Sequence, residues 1–255
     1  NMTRGVTAAS RDIYDLHMLI LWICVFIGIG VFGVMFWSIY HHRKSRGATP
    51  AQFHESTLVE VLWTVVPMAI LISMAIPATQ VLIRMADASE AELTIKVTGY
   101  QWRWHYDYMD EGVGFFSTLS TPRDQIYGVA PKGEHYLLEV DQPLVVPVGK
   151  KIRILTTSAD VIHSWWVPAL GWKRDTIPGF INENWTLIEK PGTYRGQCAE
   201  LCGRDHGFMP VVVEAVSEAE FQEWLARMKA KDAPASPTAQ TTDSNSLIVS
   251  GGQTL

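Results

Sequence analysis

Two long uncharged apolar runs open the chain, and a shorter alternating pattern follows them. Between Ile13 and Tyr40 the only charged residue is Asp15, and Leu16 to Tyr40 holds none. The second run, Val61 to Ile83, is also uncharged, although Pro67 and Pro77 interrupt it. About 20 apolar residues carry a helix across a bilayer. The pattern therefore predicts a transmembrane hairpin with spans over about 14–40 and 60–83. Proline is tolerated in such helices and bends them. Trp22 and Trp37 sit where interfacial anchors belong. An uncleaved signal peptide is a competing reading, but no basic segment directly precedes the first run, and the run is too long. A chain that opens on Asn1 is expected to have lost any signal peptide already. A buried hairpin in a soluble protein does not suit two uncharged runs of this length in 255 residues.

From about Glu90 the period changes. Glu92 to Tyr108 alternates and is rich in β-branched and aromatic residues. Tyr136–Val140, Leu144–Val148, Ile152–Thr156, Trp185–Glu189, Thr193–Gly196 and Val211–Ala215 read as further short strands. Ala159–Ile162 is also strand-like. Gly and Pro punctuate them at Pro131–Gly133, Pro147–Gly149 and Pro191–Gly192. Many short strands with such turns predict a sandwich or barrel. Ser217 and Glu220 form a capping box, and Phe221, Trp224, Leu225 and Met228 follow at helical spacing. The expected organisation is a membrane segment over 1–87, an all-β domain with a terminal helix over 88–230, and a disordered tail over 231–255.

Charge adds orientation. His41, His42, Arg43, Lys44 and Arg46 lie between the two runs. The positive-inside rule places that loop in the cytoplasm, and Arg4, Arg11 and Arg84 do not reverse the bias. Both termini and the β domain then face outward, in the periplasm or its equivalent. From Asp87 to Lys229 there are 20 acidic and 14 basic residues. A basic partner suits that balance, and nucleic acid does not.

The candidate chemistry sits late in the chain. Tyr194 to Met209 reads Y-R-G-Q-C-A-E-L-C-G-R-D-H-G-F-M. Cys198, Cys202, His206 and Met209 are soft or borderline ligands that together favour copper. A Cys198–Cys202 disulfide and tetrahedral zinc are the alternatives, although zinc has little use for Met209. His163 is the candidate second histidine. A mononuclear blue-copper site takes one Cys, two His and an axial Met. Here there is one cysteine too many, and two cysteines can bridge a pair of coppers. Glu60, at the mouth of the second run, reads either as an interfacial carboxylate or as a proton-carrying group.

The stretch G-Q-C-A-E-L-C-G-R-D-H-G-F-M resembles the dinuclear copper A loop of cytochrome c oxidase subunit II. The stretches D-V-I-H-S-W-W-V-P-A-L-G-W-K-R-D-T-I-P-G, G-Y-Q-W-R-W-H-Y and V-E-V-L-W-T-V-V-P extend the resemblance over most of residues 12–229. It implies a cupredoxin-like Greek-key barrel. It implies copper ligation by His163, Cys198, Cys202, His206 and Met209, with the Glu200 carbonyl as a further ligand. The Glu200 side chain would share a magnesium ion with the catalytic subunit. Trp102 would accept the electron from cytochrome c, Asp160 would lie at the docking site, and Glu60 would mark the mouth of a proton pathway. Trp102 and Trp104 share strand parity, so the family match alone selects Trp102. Asp110 and Glu111 are further acidic candidates for steering a basic cytochrome. Trp166 departs from the small residue usual after His-Ser-Trp, which would alter packing near the metal.

The implied assembly is a bacterial inner-membrane oxidase of the haem-copper type, with catalytic subunit I, subunit III, cytochrome c as donor, and proton pumping. A membrane-anchored copper chaperone or assembly protein is the alternative. A quinol oxidase subunit would lack the copper ligands. No second large domain is present to suggest a nitrous oxide reductase, and no C-x-x-C-H to suggest a fused haem c domain.

Overall fold

The computed structural model describes residues 2, 4–49, 51–52 and 54–232. The expected tail lies outside the described residues from 233 onward. Helix α1 spans Ala8–His41 and α2 spans Thr57–Ala86. Both are long and apolar enough to cross a membrane. They are apolar all round rather than along one stripe, as suits a lipid environment. Each extends past its predicted span, because a charged residue ends an apolar run without ending a helix. The first turn of α1 is capped by Thr7, whose hydroxyl accepts from Ser10 N at 3.0 Å. Pro67 and Pro77 lie within α2, which continues through both.

Ten strands form the second domain. They are β1 Leu93–Tyr100, β2 Arg103–Tyr108, β3 Val113–Ser117, β4 Leu144–Pro147 and β5 Ile152–Ser158, then β6 His163–Trp166, β7 Lys173–Thr176, β8 Asn182–Thr186, β9 Gly192–Cys198 and β10 Pro210–Val216. They make two five-stranded sheets, β3-β2-β1-β5-β8 and β4-β10-β9-β6-β7. Alternate residues of β1, β2 and β5 point inward, so Ile95, Val97, Trp104, Tyr106, Tyr108, Ile152 and Ile154 meet Trp165, Val211 and Val213 in one core. Two of the large polar tips within it are satisfied. Tyr108 OH donates to Val145 O at 2.6 Å, and Trp104 Nε1 to Met209 O at 3.2 Å.

Three strand expectations need correction. Tyr136–Val140 forms turns and a single bridge between Val140 and Leu119. Ala159–Ile162 is a bend, and the strand begins at His163. The strand expected at Trp185–Glu189 runs earlier, at Asn182–Thr186, where it pairs with β5. Composition marked the apolar ends of these segments and missed where backbone pairing was available. Strands β3, β6 and β7 were not anticipated. β7 is polar and exposed over Lys173–Asp175, so no hydrophobic alternation betrays it.

Between β3 and β4 lies a short helical turn, α3, at Arg123–Ile126. The terminal helix α4, Glu218–Asp232, begins with the expected capping box. Ser217 N donates to Glu220 Oε2 at 2.9 Å, and Glu220 N to Ser217 Oγ at 3.4 Å. Phe221 and Leu225 are buried, and Trp224 packs 5.1 Å from the Tyr108 ring.

The hairpin is tied to this domain by its N-terminal end. Val6 N donates to Ala169 O at 2.9 Å and Glu189 N to Val6 O at 3.2 Å. Arg11 grips Glu189 through two bonds of 2.6 and 3.0 Å. Arg84, near the end of α2, meets Asp12 at 3.2 Å. Gly171 has φ +89°, and a Cβ there would lie 2.5 Å from Ser10 Cα, so only glycine lets the helix seat so closely.

Candidate metal centre

Two neighbouring strands deliver the site. β6 opens on His163 and β9 closes on Cys198, and the two pair with Trp165 opposite Cys198. Ala199 N donates to Ser164 O at 2.9 Å, which fixes the start of the following loop. That loop carries Glu200, Cys202 and His206, and ends at Met209 immediately before β10. Ligand atoms of His163, Cys198 and Cys202 lie within 4.8 Å of one another, and all three residues are buried. Cys198 Sγ and Cys202 Sγ are free thiols 3.8 Å apart. His206 Nδ1 stands 3.5 Å from Cys202 Sγ, and Met209 Sδ 3.6 Å from the same sulfur. Cys198 Sγ donates to the Glu200 carbonyl at 3.3 Å. Five side chains and one carbonyl therefore lie together at this end of the domain. The Glu200 residue is itself exposed, with its carbonyl turned toward the sulfurs.

The imidazole of His163 is wholly buried, and its Nε2 meets Asp160 Oδ1 at 2.8 Å. A carboxylate only accepts, so the proton is on Nε2. Nδ1 remains buried without a hydrogen-bond partner. An orphaned ring nitrogen beside two thiols is the arrangement a metal would complete. Asp160 also accepts from Gln101 N at 2.7 Å and Val161 N at 2.6 Å. Burial opposes ionisation of Asp160, but His163 and these amides outweigh it and hold the carboxyl below its usual range. Burial likewise opposes the charged ring of His163, yet Cys198 and Asp160 raise its pKa. Burial disfavours the Cys198 thiolate, and His163 with the nearby backbone lowers its pKa nonetheless. Burial and the neighbouring Cys198 charge push the Cys202 thiol up to about 12. The two thiols are thus driven in opposite directions, Cys198 toward its ionised form and Cys202 away from it.

Trp102 lies in the β1–β2 turn and not on the strand, which separates it from the wholly buried Trp104. Its Nε1 donates to Cys202 O at 3.3 Å. Gln101 Nε2 donates to the same carbonyl at 2.9 Å. Gln101 was not singled out from sequence, although it lies within the G-Y-Q-W motif. Gly99 was missed as well. A Cβ there would come within 2.7 Å of His163 Cδ2, so the absent side chain makes room for the ring. Glu60 sits in the first turn of α2, about 39 Å of helix from Ala86. Asp110 and Glu111 occupy the β2–β3 turn, about 20 Å of strand from Trp102. Glu111 is paired there with Lys229 at 2.6 Å. Those two acids therefore lie away from the Trp102 surface. Trp166 is half-buried, paired with Lys173 on one side and Gln197 on the other.

The model of the periplasmic domain of cytochrome c oxidase subunit II matches residues 93–216, and that of its transmembrane domain matches residues 1–81. The chain belongs to the cytochrome c oxidase subunit II family. It is 41% identical over 218 residues to a probable cytochrome c oxidase subunit 2 of Rickettsia prowazekii, covering 85% of this chain and 68% of the relative. It is 36% identical over 238 residues to the subunit 2 of Cereibacter sphaeroides, covering 88% and 78%. The crystal structure of the periplasmic domain of subunit II of Bradyrhizobium japonicum cytochrome oxidase is 43% identical. It aligns with a TM-score of 0.51 over 56% of this chain and 98% of that one. The β domain thus has the cupredoxin-like fold of subunit II, and the hairpin is its membrane anchor. Subunit II is part of a haem-copper oxidase, an oxidoreductase complex.

Proposed function

We propose that this chain is the electron-accepting subunit of its oxidase, taking electrons from cytochrome c at a dinuclear copper A centre. The observation that carries the reading is the contact between Trp102 and the copper loop. The half-buried indole is one hydrogen bond from the backbone of Cys202, whose sulfur belongs to the ligand cluster. Cys198 and Cys202 would hold both ions, His163 and His206 one each, and Met209 and the Glu200 carbonyl the remaining positions. When bound, the copper pair supplies a one-electron carrier. The protein keeps that carrier dry and its ligands fixed on adjacent strands, which limits reorganisation. Electrons pass onward to haem in catalytic subunit I, where dioxygen is reduced to water with proton pumping.

Asp160 orients His163 and anchors the Gln101 turn, so it supports the docking surface from beneath. The Glu200 side chain is free to share magnesium with subunit I. Glu60, at the opposite end of α2, marks the mouth of a proton pathway. The basic loop lies in the cytoplasm of a bacterium, with both termini and the copper domain on the periplasmic side of the inner membrane. Subunit III completes the core. Replacing Trp102 by Phe in the assembled oxidase tests the port. Reduction by cytochrome c should slow at least tenfold while the copper spectrum is kept (on the order of 1.4 kcal/mol in barrier). An unchanged rate would sink the role.

A further inference from the structure

On the basis of the copper reading above, we infer that Trp104 is a positioning residue of the metal centre. Its indole holds the Met209 end of the ligand loop from the opposite sheet, and so sets how firmly the thioether engages the metal. Trp104 lies on β2, in the sheet that supplies none of the candidate ligands. Its side chain is wholly buried, and it crosses the core to the ligand-bearing sheet. There Nε1 donates to Met209 O at 3.2 Å, where the ligand loop enters β10. The same indole lies 6.0 Å from the His163 ring, edge to face at 64°. Gly99, whose missing side chain makes room for that imidazole, stands directly opposite Trp104 in the β1–β2 register. One side chain therefore touches candidate ligands from two separate segments.

Met209 depends on such a hold more than its neighbours do. Cys198 is fixed by strand pairing and His163 by Asp160. The Cys202 carbonyl is held by Gln101 and Trp102. Met209 stands between the short helical turn His206–Phe208 and β10. Pro210 behind it has no N–H to give to the strand ladder. The thioether side chain has three rotatable bonds, and its sulfur sits 3.6 Å from Cys202 Sγ. An indole N–H only donates, and a buried donor without an acceptor is costly, so Trp104 and the Met209 carbonyl keep each other in place. In copper sites with a methionine ligand, that contact tunes the potential. Thioether donation favours the oxidised ion, so a loosened Met209 raises it.

The test is a redox titration of the purified oxidase complex, followed by the copper paramagnetic signal. Trp104→Phe keeps a ring and deletes the donor. Benzothienylalanine, placed at position 104 by nonsense suppression, keeps the shape of the indole and deletes only its N–H, so it decides the matter if the phenyl variant does not assemble. Tyr108→Phe is the control, since it removes another buried bond between the sheets, to Val145 O, with no ligand involved. A neutral hydrogen bond is worth about fivefold in an equilibrium. Partial transfer of that to the couple should move the oxidised-to-reduced ratio about threefold toward the reduced form in both Trp104 variants, or about 28 mV for one electron. Tyr108→Phe should stay at the native ratio. A native potential in the benzothienyl protein, or an equal shift in Tyr108→Phe, would overturn the inference. If the native complex itself shows no spin shared by two coppers, the copper reading falls and takes this inference with it. If that spin is present and the Trp104 variants do not shift, only the inference fails.

Discussion

Replacing Asp160 by Asn removes one charge and almost no volume, yet it should disturb the metal site. Oδ1 accepts from His163 Nε2 at 2.8 Å and Val161 N at 2.6 Å, and Oδ2 accepts from Gln101 N at 2.7 Å. An amide has one acceptor and one donor end, so it satisfies only one side. With its oxygen toward His163, its NH2 confronts the Gln101 N–H and opens the turn that holds Trp102. With its oxygen toward Gln101, its NH2 confronts Nε2 and drives the ring proton to Nδ1, the nitrogen that would hold metal. Loss of such a supporting bond typically lowers metal affinity about 10- to 100-fold, or roughly 1.4–2.7 kcal/mol. Leaving one buried donor unpaired also costs about 1–3 kcal/mol of stability. Anaerobic Cu(I) competition titration of the periplasmic domain measures the first, and denaturant unfolding the second. A relative's domain has been crystallised alone, so the fragment is a sound starting point. Native affinity together with native tryptophan fluorescence in Asp160→Asn would refute the reasoning.

Two further outcomes follow from the same geometry. Copper uptake should strengthen with pH, because the raised His163 and the Cys202 thiol near 12 both hold protons that metal must displace. Log affinity should therefore rise with pH; a flat profile over pH 6–9 would contradict the proton assignment. Glu60→Ala should slow turnover of the assembled oxidase several-fold and leave the copper spectrum intact, since about 39 Å of helix separates it from Ala86. Unchanged proton-coupled turnover would remove Glu60 from the pathway.

The membrane hairpin was legible because hydrophobic runs of that length have few other uses. The ligand loop was legible because Cys198, Cys202, His206 and Met209, all soft or borderline ligands, fall within twelve positions. The capping box at Ser217 and Glu220 was legible as a local signal. What escaped were features created by pairing. Polar β7 has no inward alternation of its own and exists because β6 offers it an edge. Trp102 and Trp104 share parity, and only the tight turn between β1 and β2 takes Trp102 off the strand. The roles of Gly99 and Gln101 depend on contacts with residues 64 and 101 positions away, which no local pattern records. Asp160 was expected at the docking surface, and its hydrogen bonds to His163, Gln101, Val161 and Ser158 give it an internal role as well. Asp110 and Glu111 were judged by charge alone, and their distance along β2 places them elsewhere.

The central claim is that two cysteines, two histidines, Met209 and the Glu200 carbonyl hold a pair of coppers that share one electron. Copper content measured together with electron paramagnetic resonance on the oxidised domain, roughly residues 88–230, tests it most directly. The account predicts about two coppers per chain and a single unpaired spin delocalised over both nuclei, as expected for thiolate-bridged ions. One copper with a mononuclear signal, or zinc with no signal in a fully loaded fragment, would contradict it.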